Sequence, residues 1–117
     1  MPRILVVDDD AAIVKLISVI LSRAGHEVRT SSHPVEALDL LKVFTPDLII
    51  SDLMMPRMDG FDLVRNIRGD QRLADLPVIM ITSRIAQKHR DYASELGVNH
   101  YLGKPYSEEE LLALIGR

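Results

Sequence analysis

A chain of 117 residues has room for one domain with one core, and its formal net charge of -3 gives no reason to expect nucleic acid as a direct partner. Aromatics are only 4% against 47% hydrophobic residues, so the core must be built from Leu, Ile, Val and Met. With no cysteine, a disulfide framework and a Cys-based zinc site are excluded, and the four-residue apolar segment after Met1-Pro2-Arg3 is too short for a signal-peptide core or a membrane span. The expectation is a single cytoplasmic domain over residues 1–117, with no membrane partner.

In chain order, Ile4-Leu5-Val6-Val7 is a continuous apolar run that suits a strand buried on both faces. Asp8-Asp9-Asp10 follows, with Asp10 placed to cap the first helix. Ile13, Leu16, Ile17, Ile20, Leu21 and Ala24 fall on one face of that helix, and Gly25 stops it. His26 to Thr30 is more polar and reads as an edge strand. Val35, Leu38, Leu41 and Phe44 predict a second helix closed by Pro46. Leu48-Ile49-Ile50 is the next buried strand, ending at Ser51-Asp52, and a third helix runs from about Gly60 to Arg68. Val78-Ile79-Met80-Ile81 is again apolar throughout and ends at Thr82-Ser83. A helix over Gln87 to Leu96, an edge strand over Asn99 to Leu102 and a helix over Glu108 to Ile115, capped by Ser107, complete the chain.

Five strands alternating with five helices imply an α/β fold with a parallel sheet covered on both faces. The apolar runs make strands 1, 3 and 4 central and strands 2 and 5 edges. The flavodoxin-like order 2-1-3-4-5 has that property.

Ligands of an open parallel sheet sit beyond the carboxyl ends of its strands. There the sequence delivers Asp8 and Asp9 from strand 1, Asp52 from strand 3, Thr82 from strand 4 and Lys104 after strand 5. Clustered carboxylates repel one another and raise each other's pKa. A hard divalent cation relieves this, and Mg²⁺, with Mn²⁺ as a substitute, prefers oxygen ligands. A carboxylate can also attack phosphorus and form an acyl phosphate, with Lys104 balancing its charge and Thr82 donating a hydrogen bond to it. Taken singly, each residue has a plainer role: an Asp at a strand end is usually a cap or turn residue, Thr82 a turn hydroxyl, Lys104 a solvated charge. The ordered set across four strands is what points to chemistry.

At this point the sequence resembles the receiver domain of bacterial response regulators. The resemblance is carried by Leu5-Val6-Val7-Asp8-Asp9-Asp10, Asp47-Leu48-Ile49-Ile50-Ser51-Asp52, Met55-Pro56-Arg57-Met58-Asp59-Gly60, Pro77 to Thr82 and Gly103-Lys104-Pro105. It implies that Asp52 accepts a phosphoryl group from a histidine kinase or phosphotransfer domain, without the chain being an enzyme in its own right. Asp9, Asp52 and the backbone carbonyl of Met54 would ligate Mg²⁺, and Asp8 would bind it through water. Thr82 and Lys104 would hold the phosphoryl oxygens, the Lys104-Pro105 bond would be cis, and the rotamer of Tyr101 would follow Thr82. Tyr101 also has a plainer reading, an edge-strand side chain with its hydroxyl in water.

The resemblance further implies an output face formed by helix 4, strand 5 and helix 5, read by a partner or a second copy. Met54 and Arg84 stand where side chains tune dephosphorylation, and Met54 departs from the polar residue some relatives carry. Segments such as Ile81-Thr82-Ser83-Arg84 and Leu96 to Tyr106 look, more narrowly, like receivers attached to chemotaxis-type hybrid histidine kinases. Three rivals stay open: a haloacid-dehalogenase-type phosphatase with Asp8 as nucleophile, a flavin carrier and a degenerate receiver used only for docking.

Overall fold

Ile4, Leu5, Val6 and Val7 are each at most 1% exposed, so the first strand is buried on both faces as its composition requires. The computed structural model describes residues 2–115. Along them strands and helices alternate: β1 (Arg3–Val7), α1 (Ala11–Arg23), β2 (Glu27–Ser31), α2 (Pro34–Leu41), β3 (Leu48–Asp52), α3 (Gly60–Gly69), β4 (Val78–Thr82), α4 (Gln87–Leu96), β5 (His100–Gly103) and α5 (Glu108–Ile115). The strands are parallel, in the order β2-β1-β3-β4-β5. The polar strands β2 and β5 are at the edges, as expected.

Alternation along each strand divides the core. Leu5, Val7, Ile49, Val78 and Met80 point to one face, against Ala37 and Leu41 of α2 and Leu63, Val64 and Ile67 of α3. Ile4, Val6, Ile50, Ile79 and Ile81 point to the other, against Ile17, Ile20 and Leu21 of α1 and Leu111 of α5. Register brings the strand ends level: Val7 pairs with Ser31 and Ser51, Asp52 with Ile81, and Thr82 with Gly103.

Local chemistry sets where the helices begin. Asp10 accepts hydrogen bonds from the amides of Ala12 (2.9 Å) and Ile13 (3.4 Å), a cap of about 1 kcal/mol. Ser107 caps α5 reciprocally with Glu110, at 3.0 and 2.8 Å. The N-cap of α4, Ala86, has no side chain able to do this.

The structure corrects three boundaries and shows how far two apolar stripes are covered. α2 ends at Leu41, short of Phe44, where the Lys42 and Val43 amides tighten onto the carbonyls of Asp39 (3.2 Å) and Leu40 (3.1 Å) three residues back. Phe44 still reaches the core, its amide bonded to the Leu40 carbonyl at 2.9 Å. Leu16 and Val35 are 58% and 52% exposed, because the apolar stripes of α1 and α2 are wider than the surfaces they cover. β2 starts at Glu27, because the His26 amide bonds back to Leu21 at the end of α1. β5 starts at His100, and Asn99 just before it meets Val78 twice, its amide donating to the Val78 carbonyl at 3.0 Å and its side chain accepting from the Val78 amide at 2.7 Å.

Candidate functional site

The level strand ends gather Asp8, Asp9 and Asp52, and their carboxylate oxygens lie within 4.8 Å of one another. Asp8 follows β1 and is buried, its amide bonded to the Ser31 carbonyl (3.2 Å) and its carboxylate accepting from the Asp10 amide (2.9 Å). Asp9 is exposed. Asp10 turns away to cap α1 and takes no part in the cluster. Asp52, the last residue of β3, is 8% exposed.

Lys104 comes to the same carboxylate from beyond β5, its Nζ 3.6 Å from Asp52 Oδ1. The Lys104–Pro105 peptide is cis. Thr82 is fully buried at the end of β4, and its Oγ1 accepts from the Arg84 amide at 3.0 Å. A hydroxyl that accepts in this way still has a proton to donate. Tyr101 is half-buried, and its hydroxyl donates to the Arg84 carbonyl at 2.5 Å. Met54 is 49% exposed and Arg84 is exposed, one on each of the loops beside Asp52.

Burying these acids shows in their proton affinity. Burial pushes Asp8 up to about 6; the Asp10 amide works against this, while the charge of Asp52 adds to it. Burial also raises Asp52, opposed by the Lys104 ammonium and by the facing amides of Leu53 and Met54. Two buried acids and an exposed third, held a few ångströms apart with incomplete charge balance, form a donor set suited to a hard, oxygen-seeking divalent cation.

Two residues support the site in ways that spacing could not reveal. Gly60 opens α3 directly under the end of β3, its amide donating to the Leu53 carbonyl at 2.8 Å. A Cβ there would lie 2.6 Å from the Asp52 carbonyl oxygen and 2.9 Å from Leu53 Cα. Arg57 adopts φ 71°, between Pro56 and Met58, whose carbonyl and amide are bonded at 2.8 Å. That combination is a γ-turn, and it sets the path of the loop from the acceptor strand to α3. The first case leaves no mark but a glycine, and the second is disguised by an arginine.

Comparison with known proteins agrees with this geometry. The family described as the response regulator receiver domain matches residues 4–116. The chain is 40% identical over 115 residues to the DNA-binding dual master transcriptional regulator RpaA of Synechocystis sp., covering 98% of this chain and 48% of that protein. It is 46% identical over 112 residues to the transcriptional regulatory protein GltR of Pseudomonas aeruginosa, covering 96% and 46%. The chain thus spans about half the length of the curated relatives it matches. Among solved structures, the chemotaxis response regulator CheY4 of Vibrio cholerae superposes with a TM-score of 0.93 at 33% identity, covering 100% of this chain and 98% of that one. Neither the phosphatase reading nor the docking-only reading finds support in these matches.

Proposed function

The chain belongs to the response regulator receiver domain family, the phosphoacceptors of two-component signalling, and on that premise we propose that Asp52 is its acceptor residue. The observation that carries the assignment is the place of Asp52: nearly buried at the end of a central strand, beside two other acids and 3.6 Å from the Lys104 ammonium. An Asp52 oxygen forms the new bond to phosphorus as the phosphohistidine P–N bond of the donor breaks. Lys104 balances charge on the transferring group, and the Thr82 hydroxyl donates to one of its oxygens.

Asp8, Asp9, Asp52 and the Met54 carbonyl would hold Mg²⁺, which supplies positive charge for the phosphoryl oxygens when bound. The donor is a histidine kinase or a phosphotransfer domain, met in the cytoplasm, and the chain promotes only its own phosphorylation and dephosphorylation. No helix among the described residues is long and apolar enough to cross a membrane. Residues 1–117 would act as one receiver unit that binds no nucleic acid itself. Output passes through α4, β5 and α5 to a partner or a second copy, and the Arg84 peptide held between Thr82 and Tyr101 supports that route. Met54 and Arg84 flank the approach of water to the phosphoryl group.

The test is incubation with acetyl phosphate, with and without Mg²⁺. An acid-stable, alkali-labile adduct is expected only with the metal, and Asp52→Asn is expected to abolish it. Equal labelling of Asp52→Asn would remove the assignment.

A further inference from the structure

The methionines around the acceptor differ in how far solvent reaches them. Met54 is 49% exposed, Met55 is 7% exposed, Met80 is fully buried and Met58 is intermediate. The Met54 amide faces the Asp52 carboxylate and favours its charged form, so the Met54 side chain starts within one residue's reach of the acceptor. The accessible thioether of the loop is therefore also the one beside the phosphoryl site. Accessibility governs which methionine a dilute oxidant meets first.

We propose that Met54 is an oxidation site, and that its sulfoxide shortens the life of the phosphoryl group on Asp52. This rests on Asp52 being the phosphoacceptor. The oxidant is a hydroperoxide. Its O–O bond breaks as the Met54 sulfur, losing two electrons, bonds to one oxygen; the other oxygen takes up the proton and leaves as water or alcohol. The change is reversible by sulfoxide reductases.

The effect follows from hydrogen-bonding capacity. A thioether accepts hydrogen bonds weakly, so reduced Met54 has no group that would hold a water beside the acceptor. The sulfoxide oxygen is a strong acceptor on the same flexible stem. It can hold a water by one O–H and leave an oxygen lone pair turned toward phosphorus. Arg84, the other side chain beside the approach, carries donors only and cannot do this. Oxidation would thus give the loop a water-positioning group that its sequence lacks.

The experiment exposes the protein to stepwise hydrogen peroxide and locates added oxygen by peptide mapping. Reduced and oxidised samples are then phosphorylated with acetyl phosphate and Mg²⁺, and decay is followed after the donor is removed. Met54 should gain oxygen before Met55, Met58 and Met80, and decay should be about threefold faster or more in the oxidised sample. Reductase treatment should restore the slow rate. Met54→Leu sets its own basal rate, and peroxide should leave the ratio of its two rates at one. Oxidation elsewhere first, unchanged or slower decay, or an equal response from Met54→Leu would overturn the proposal while leaving Asp52 as acceptor. Failure of the reduced protein to label at Asp52 would overturn both.

Discussion

The hydroxyl of Tyr101 donates to the backbone carbonyl of Arg84 at 2.5 Å, while the amide of that residue donates to Thr82 Oγ1 at 3.0 Å. One peptide segment is therefore tied both to the residue expected to bind the phosphoryl group and to the aromatic of the edge strand. Arg90 of α4 adds to the link, its guanidinium 5.2 Å above the Tyr101 ring and its Nε donating to the Ile85 carbonyl at 3.3 Å.

This linkage predicts where phosphorylation is felt. Beryllofluoride, a phosphoryl mimic, should change amide exchange over residues 83–106, and Tyr101→Phe should weaken that response. Loss of one such hydrogen bond, about 1 kcal/mol, corresponds to roughly fivefold faster exchange in the loop before α4. Exchange that is the same in Tyr101→Phe and the parent would show that the bond does not hold the loop.

The acidic cluster sets a pH dependence of stability in the metal-free protein. Asp8 is raised to about 6 from an ordinary value of 3.8, so the folded state holds its proton more tightly than the unfolded state does. The resulting stabilisation is complete below about pH 3.8 and is lost as pH rises through about 6. Its size is at most about 3 kcal/mol, and Asp52 is raised in the same direction. Asp8→Asn without metal should therefore be more stable than the parent at pH 7, with the advantage shrinking toward pH 5. Mg²⁺ should stabilise the parent at pH 7 and much less at pH 5. Thermal unfolding across that range checks both, and an Asp8→Asn variant no more stable than the parent at pH 7 would contradict the cause assigned.

The central strands were legible because β1, β3 and β4 each carry a continuous apolar run, and buried polar residues enter only at their carboxyl ends, a pattern suited to strands covered on both faces. The site was legible for a related reason. Asp8, Asp52 and Thr82 stand at the ends of those same runs, so parallel topology alone brings them together. Strand order needed the analogy with known sheets. The exposure of Leu16 and Val35 was not legible, because helical period shows which residues share a face, not how much of that face is covered. The Tyr101–Arg84 contact and the closeness of Gly60 to Asp52 arise between residues distant in sequence, and no local pattern encodes them.

Gly60 and Gly69 make a matched pair. Gly60→Ala places a methyl 2.6 Å from backbone that cannot yield without moving the end of β3. A loss of about 1–3 kcal/mol is expected, together with slower labelling of Asp52 among folded molecules. Gly69, at the other end of α3, has nothing within 4 Å of the place a methyl would take, so Gly69→Ala should be neutral or slightly stabilising. Urea unfolding of both variants decides this, and equal costs would show that the contact at Gly60 is relieved elsewhere.

Arg57 holds a left-handed backbone that a side chain makes costly. Arg57→Gly removes that strain but adds freedom to the unfolded chain, and the first effect should win by about 0.5–1 kcal/mol. A fall in the urea midpoint at unchanged slope would mean that the arginine side chain makes stabilising contacts larger than the strain.

The phosphoryl group on Asp52 should decay slowly. Hydrolysis needs a water in line with phosphorus, opposite the aspartyl oxygen. Reduced Met54 is long and apolar, and Arg84 offers donors only, so neither can act as a base toward that water or accept strongly from it. Both also occupy space on the two loops beside Asp52. Each tenfold slowing requires only about 1.4 kcal/mol of added barrier, within reach of steric exclusion. Replacing Met54 with Asn and Arg84 with Glu frees space and supplies groups that can orient a water. At saturating Mg²⁺ the double variant should lose phosphoryl group several-fold faster than the parent, with each single variant between them. Decay at the parent rate or slower would show that these two side chains do not gate the water.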